Sequence, residues 1–464
     1  MRPAAFGFLF LALSALAPPS QASITFTPPT VYESGVITKW VGIADFDRDG
    51  NQDLAITEPD STSLVLLFGR GDGTFSSRKT ILMGAAPSAG AIADLNEDGY
   101  VDLVLASPSG VMVRHGAGDG TFPFEQDYPT SARPVSLAIA DLDEDGKPDI
   151  VFPDGGLAVH VVWEKAPGGF SPESTWATNG DHPNDLVVED LNHDGHLDVA
   201  TSDYGHAVCC WHVSVLLGHG GRTIGPAVRY GASMNPVCIA AGDLDQDGAP
   251  DLFDAGDLGA CSALINRGDA TFDLAGTFAG VGTDGLWDAA LADLDMDRVL
   301  DIIAATSNGV LLVRGTGDAQ FTLDNTLVLS TIPRMVVVED LDHDTRPDIV
   351  TAGNGVHVFL NATPTVGAPL NPLRVTLEAP RPNPARHQVA FEFSLVAEAT
   401  GSLVIYDLAG RLVRTLTAGP LESGLQRTTW DLRSEAGRTV RPGIYFARFQ
   451  AGTQHVVRRF EVIP

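Results

Sequence analysis

Asp45-Phe46-Asp47-Arg48-Asp49-Gly50-Asn51-Gln52-Asp53 sets acidic side chains at positions 1, 3, 5 and 9 of a nonapeptide, with glycine at position 6. The same pattern restarts at Asp94, Asp141, Asp190, Asp243, Asp293 and Asp340, at intervals of 49, 47, 49, 53, 50 and 47 residues. A short apolar run precedes each copy (Val41–Ala44, Leu137–Ala140), and a second follows it (Leu54–Ile56, Leu103–Leu105). A third run ends in a glycine turn and phenylalanine, as in Leu66-Leu67-Phe68-Gly69-Arg70-Gly71-Asp72-Gly73-Thr74-Phe75. Short apolar runs bounded by Gly and Asp predict strands. A period near 48 residues with about four strands per unit predicts a propeller blade, and seven copies predict an all-β, seven-bladed β-propeller.

Alternating carboxylates inside one tight loop repel one another unless a cation joins them. Side-chain oxygens at positions 1, 3, 5 and 9, with the carbonyl of position 7, suit a hard cation taking six or seven oxygens, and calcium better than magnesium. The expected ligands are Asp45, Asp47, Asp49, Asn51 and Asp53; Asp94, Asn96, Asp98, Tyr100 and Asp102; and Asp141, Asp143, Asp145, Lys147 and Asp149. In the later loops they are Asp190, Asn192, Asp194, His196 and Asp198; Asp243, Asp245, Asp247, Ala249 and Asp251; Asp293, Asp295, Asp297, Val299 and Asp301; and Asp340, Asp342, Asp344, Arg346 and Asp348. Up to seven structural Ca2+ sites are expected. Arg298 and Thr345 replace the position-6 glycine, a left-handed position, so the last two loops should release calcium first.

These residues resemble the FG-GAP (VCBS) repeat family, which implies an integrin-α-like propeller over residues 23–362, often calcium-loaded and surface-exposed. The seventh unit supplies three strands and then runs into Pro364, while Ile24–Val31 matches the outer-strand segment Gly73–Thr80. The N-terminal strand is therefore expected to complete the last blade, which removes an open edge.

The 464 residues carry a net charge of −30, against nucleic acid as a partner, and no internal apolar run approaches a membrane span. Arg2, the apolar stretch Ala4–Ala17 and Ser20-Gln21-Ala22 read as a signal peptide over residues 1–22, cleaved near Ala22. The expected location is secreted or at the outer cell surface, where disulfides are permissible.

Residues 363–372 read as a Pro-rich linker and 373–464 as a small Ig-like β-sandwich, with alternating strands at Val389–Phe393, Leu403–Tyr406 and Gly443–Arg448. Pro382-Asn383-Pro384, Tyr406–Arg411, Trp430-Asp431 and Pro442-Gly443-Ile444-Tyr445 resemble the flagellar-hook-capping Ig-like fold. That fold also serves as a sorting domain in type IX secretion, which implies the secretion machinery as a partner.

Three further signals stand out. Arg70-Gly71-Asp72 and Arg267-Gly268-Asp269 spell an adhesion tripeptide, but the repeating glycine turn accounts for both. Blade four carries the longest interval, and its insertion holds His206, Cys209, Cys210, Trp211 and His212. With Cys238 and Cys261, an even cysteine count favours disulfides between this insertion and blade five; a His/Cys zinc or copper site is the rival. Finally, residues entering the inner strands vary: Lys39, Trp40, Asn184, Asp185, Trp287, Asp288 and Arg334. Exposed aromatics beside amides and charges at this mouth suit an extracellular glycan or protein ligand.

The chain shows no nucleophile elbow, zinc-protease helix, phosphate loop or dinucleotide fingerprint, so no catalytic residue is assigned. A binding or adhesion module is expected rather than an enzyme. Some propellers of this repeat type resemble polysaccharide lyases, which makes a carbohydrate-active enzyme the alternative.

Overall fold

The computed structural model describes residues 23–463 except 59–61, 167–168, 172, 179–181, 206–210, 280–284, 364–374, 378–379, 382–384, 396–398, 408–410, 422–423, 436, 442 and 452–453. The expected signal peptide and linker residues 364–372 lie outside the described residues. The chain divides into two compact units, Met1–Pro364 and Thr365–Pro464. Among the described residues no helix is long and apolar enough to cross a membrane.

The first unit is a seven-bladed propeller. Six blades are four-stranded antiparallel sheets, beginning at inner strands Val41–Ala44, Ala89–Ala93, Ala138–Ala140, Pro183–Glu189, Pro236–Gly242 and Leu286–Ala292. The seventh begins at Pro333–Glu339, and each inner strand touches the next around a closed ring. Blades stack face to face, so their middle strands are covered on both sides. Continuous apolar runs such as Leu64–Leu67 are therefore wholly buried, whereas the outer strand Phe75–Leu82 is mostly exposed beyond its first residue. One buried hydrophobic cluster fills each of the seven blade interfaces, including the one where blade 7 meets blade 1.

The N-terminal strand closes the ring. It runs at Thr30–Ile37, further along than the expected Ile24–Val31, and pairs Thr30 with Val358 and Ile37 with Asn354. The upstream residues hold on by single contacts: Phe26 bridges Asn361, and Thr27 N donates to Leu360 O at 2.9 Å. Pro28 and Pro29 separate these contacts from the strand, because neither offers an N–H for a ladder. Its partners in blade 7 form one run, Asp348–Phe359, whose first half pairs with the inner strand and whose second half pairs with Thr30–Ile37. Blade 3 holds an element the repeat does not predict, a small hairpin of Glu164–Ala166 with Gly169–Phe170.

The second unit is a β-sandwich. Val375–Leu377, Val389–Leu395 and Gly424–Trp430 form one sheet; Ala399–Asp407, Leu412–Leu421, Gly443–Ala451 and Gln454–Val462 form the other. Phe391, Phe393, Trp430, Phe449 and Phe460 fill the space between the sheets.

Candidate functional site

Each nonapeptide folds into the same loop at the end of an inner strand. Position 6 is left-handed throughout: φ is 90° at Gly50, and also 74° at Arg298 and 71° at Thr345. Position 4 is left-handed in all seven loops as well, from Arg48 to His343, without a glycine at any of them. The position-1 carboxylate accepts the N–H of position 6, as Asp45 does from Gly50 at 2.9 Å. These bonds fold the carboxylates inward, and in five loops three of them share a space that could hold a metal ion.

Those five clusters are of two kinds. In blades 1, 3 and 5 the trio is positions 1, 3 and 9: Asp45, Asp47 and Asp53; Asp141, Asp143 and Asp149; Asp243, Asp245 and Asp251. In blades 6 and 7 it is positions 1, 3 and 5: Asp293, Asp295 and Asp297; Asp340, Asp342 and Asp344. The loops with Asn96 and Asn192 form no such acidic trio. The donor set is oxygen only, as a hard divalent cation requires. Burial pushes Asp53 up to about 6, and Asp149 and Asp301 up to about 7.

The position-9 aspartate does more than face the loop. All seven are fully buried. One oxygen of Asp53 accepts the Phe46 N–H at 2.9 Å and the other accepts the Gly69 N–H at 2.8 Å. Asp102, Asp149, Asp198, Asp251, Asp301 and Asp348 repeat this bridge between the loop and the end of the third strand.

Position 2 carries a role that reading the acids alone misses. Phe46, Leu95, Leu142, Leu191, Leu244, Leu294 and Leu341 each plug the interface with the following blade. Five of their carbonyls also take bonds from that blade, among them Gly120 N to Phe46 O at 2.9 Å, Ala319 N to Leu244 O at 3.2 Å and Asn361 Nδ2 to Leu294 O at 2.9 Å. The signal was available, since position 2 is Phe or Leu in every copy.

Arginines enter three of the loops. In blade 6, buried Arg314 bonds Asp295 at 2.5 Å and Asp324 at 3.1 Å. Its register holds Phe68, Trp163, Leu217, Ile265 and Leu360 in five other blades. Arg346 pairs with Asp344 in blade 7, and Arg222 reaches from blade 4 to Asp143 at 2.8 Å. Blades 6 and 7 have thus both lost the glycine and gained a resident guanidinium.

The glycine turns use the aspartates of both adhesion-like tripeptides internally. Asp72 accepts the Thr74 N–H at 3.0 Å, Asp269 accepts that of Thr271 at 3.0 Å, and Arg267 pairs with Asp273.

At the channel end opposite the aspartate loops lies a cavity of about 490 Å³, and it collects all seven mouth residues. The outer lining of the cavity forms two rings of seven residues. Six residues before each loop stand Lys39, Ser88, Val135, Asn184, Val237, Trp287 and Arg334; one residue deeper stand Trp40, Ala89, Ser136, Asp185, Cys238, Asp288 and Met335.

The deeper ring corrects part of the expectation. Trp40 is not an exposed aromatic; it is only 6 % exposed and lies over Gly42 and Gly90, where a Cβ would fall 2.3 Å and 2.8 Å from its ring. Asp185 and Asp288 are half-buried clamps rather than rim groups. Asp185 accepts Ser136 Oγ at 2.7 Å and Ile239 N at 3.2 Å, joining blades 3, 4 and 5. Asp288 accepts Val336 N at 2.9 Å, and burial pushes it up to about 8, with the charge of Asp185 adding to the rise. The upper ring stays open: Lys39 and Arg334 are exposed, and the Arg334 guanidinium lies 4.6 Å from the centre of the Trp287 ring, which is 36 % exposed.

The blade-four candidates part company. His206, Cys209 and Cys210 lie outside the described residues. Trp211 is half-buried, and His212 is a buried strand residue within 4.0 Å of Asp203, not a rim group. Cys238 and Cys261 flank Ala255 on successive strands. Two strand spacings, about 9.6 Å, are too far for these two to bridge each other.

Comparison with known proteins agrees with this architecture. The FG-GAP-like repeat family matches residues 45–105, 94–152, 243–304 and 293–351, and the FlgD Ig-like domain matches 385–454. No curated protein matches the chain in sequence. Among solved structures it is similar to BBS1N, crystallised with ARL6DN and soaked with mercury (12% identity, 74% of this chain and 97% of that chain, TM-score 0.51). It also resembles an Agrocybe aegerita lectin that recognises non-reducing terminal N-acetylglucosamine (21% identity, 64% of this chain and 81% of that chain, TM-score 0.47). PorZ, a surface component of the type IX secretion system of Porphyromonas gingivalis, aligns at 14% identity over 89% of this chain and 58% of that chain, TM-score 0.43. At such identities the likeness concerns the fold alone. Residues 45–152 and 243–351 thus carry four FG-GAP-like repeats, and residues 385–454 carry an FlgD Ig-like domain.

Proposed function

We infer that this chain is an exported, calcium-stabilised propeller that binds an extracellular glycan or protein at its central cavity, and that it is a binding module rather than an enzyme. The observation that carries this reading is the upper ring of the cavity, where an exposed aromatic, two cations and an amide converge on a rigid seven-stranded frame. The two carboxylates beneath are already committed to blade-to-blade bonds, a structural use. The signal-like N-terminus supports export. The Ig-like unit supports a role in sorting or surface attachment by the secretion machinery.

The two tryptophans separate ligand binding from folding. Trp287→Ala should abolish capture of partners on glycan and matrix-protein arrays with little change in melting. Trp40→Ala should instead cost about 3–5 kcal/mol of stability, because it empties a packed site. Binding that survives Trp287→Ala would move the site elsewhere. Unsaturated sugar products on incubation with pectic polysaccharides would replace the binding role with a lyase.

Calcium suits the loops because their carboxylates, with the expected carbonyl of position 7, would offer an all-protein set of oxygens. Bound calcium supplies the positive charge that the clustered carboxylates lack. Graded chelation followed by native mass spectrometry should strip blades 6 and 7 first, where Arg314 and Arg346 already neutralise a ligand. Asp45→Asn and Asp243→Asn should each remove a tightly held ion. Equal retention at all loops would contradict this order.

A further inference from the structure

We propose that the ligand of the central cavity is a carboxylate-bearing saccharide, its acid group held between Lys39 and Arg334 and its sugar ring laid on Trp287. This rests on the reading of the cavity as a binding site and adds the chemical class of its occupant.

The argument begins with charge. Residues 1–372 carry a net of −34, yet the upper ring of the cavity contains two cations and no acid. The cations are not scattered around that ring. Arg334 belongs to blade 7 and Lys39 to blade 1, at the same register on inner strands that touch. The Val41 N–H lies 3.4 Å from Met335 Sδ across that junction, which fixes the two strands against each other. Trp287 stands on the adjoining blade 6, so aromatic, guanidinium and ammonium occupy three consecutive blades. Among the described residues, neither Lys39 nor Arg334 makes an ion pair with an acid, while most other arginines of the propeller do.

Arg334 is instead oriented by the Trp287 ring, which leaves its donor edge available to a planar anion. The remaining upper-ring polar groups, Asn184 and Ser88, suit hydroxyls. The two deeper acids oppose an anion less than free carboxylates would: both are engaged by donors from neighbouring blades, and burial pushes the pKa of each up. The wider negative field is screened beyond about 8 Å at physiological salt, so the local cation pair decides what enters. An aromatic platform beside that pair favours a sugar ring over an extended acidic peptide.

The test uses the full calcium-loaded chain with three probes: polygalacturonate, its highly methyl-esterified form and poly-glutamate. Polygalacturonate should bind, with affinity falling as salt rises, and the esterified polymer should not. Arg334→Met and Lys39→Met should each weaken binding about ten- to hundredfold, with Arg334→Lys intermediate, while melting stays unchanged. Equal binding of the esterified polymer, unaffected by these variants but lost in Trp287→Ala, would overturn the acidic class and leave the cavity as a binding site. Poly-glutamate bound as tightly as polygalacturonate would overturn the saccharide assignment. Binding of any probe that survives both Trp287→Ala and Arg334→Met would overturn the cavity reading itself.

Discussion

Stripping divalent cations with EGTA should lower the melting temperature of the propeller by about 10–20 °C, and restoring millimolar calcium should return it. The size follows from linkage. A site held at a hundred times its dissociation constant contributes about 2.7 kcal/mol, and the three loops with position-9 trios would together contribute about 8 kcal/mol. That is comparable with the whole stability of a domain. The effect should spread beyond the loops, because the residue after each first aspartate plugs the next interface, and in five loops its carbonyl also holds the neighbouring blade. A differential scanning calorimetry trace identical with and without chelator would refute structural metal sites.

Deleting residues 24–37 should abolish cooperative folding of the propeller. Blade 7 would lose its outer strand, and Ile24, fully buried against Leu294, Ile303 and Phe359, would leave an empty site between blades 6 and 7. The bond of Ile24 N to Asp324 would go too, loosening the carboxylate that positions Arg314. The combined loss is about 5 kcal/mol or more, enough to unfold a marginally stable ring. Deleting residues 365–464 should leave the melting transition of the propeller where it was, since all seven interface clusters end by Leu360. Circular dichroism melts of the two truncations decide the matter; a cooperative, parent-like transition in the first would show that the ring does not need its N-terminal strand.

The sevenfold architecture was legible because the aspartate motif fixes both a loop and a period, and a period over seven copies leaves little freedom in the fold. Ring closure was legible for the same reason, as a missing strand at one end matched a spare one at the other. The mouth residues could be named from their register alone. Their exposure could not: Trp40 and Trp287 both read as rim aromatics, yet only Trp40 finds two glycines beneath it, Gly42 in its own blade and Gly90 in the next. That second glycine lies 50 residues away and becomes a neighbour only through blade stacking. Arg314 was invisible for a related reason. A lone arginine in a strand says nothing until its register places it under the aspartates of its own blade.

The strand that closes the ring also sets an order of assembly. Each aspartate loop joins groups at most eight residues apart, and each hairpin forms from contiguous chain, so blades can organise as they emerge from the ribosome. The closing contacts are the opposite case: Leu360 N bonds Thr27 Oγ1 across 333 residues. Contacts of that sequence separation form late, after loop-closure entropy has been overcome. Until residue 360 is synthesised, the first strand has no partner and the nascent sheet keeps an open edge, the kind of surface that recruits other strands. The segment made earliest is thus the one used last, and the interval between the two events is when this protein is most exposed to misassembly with its own copies.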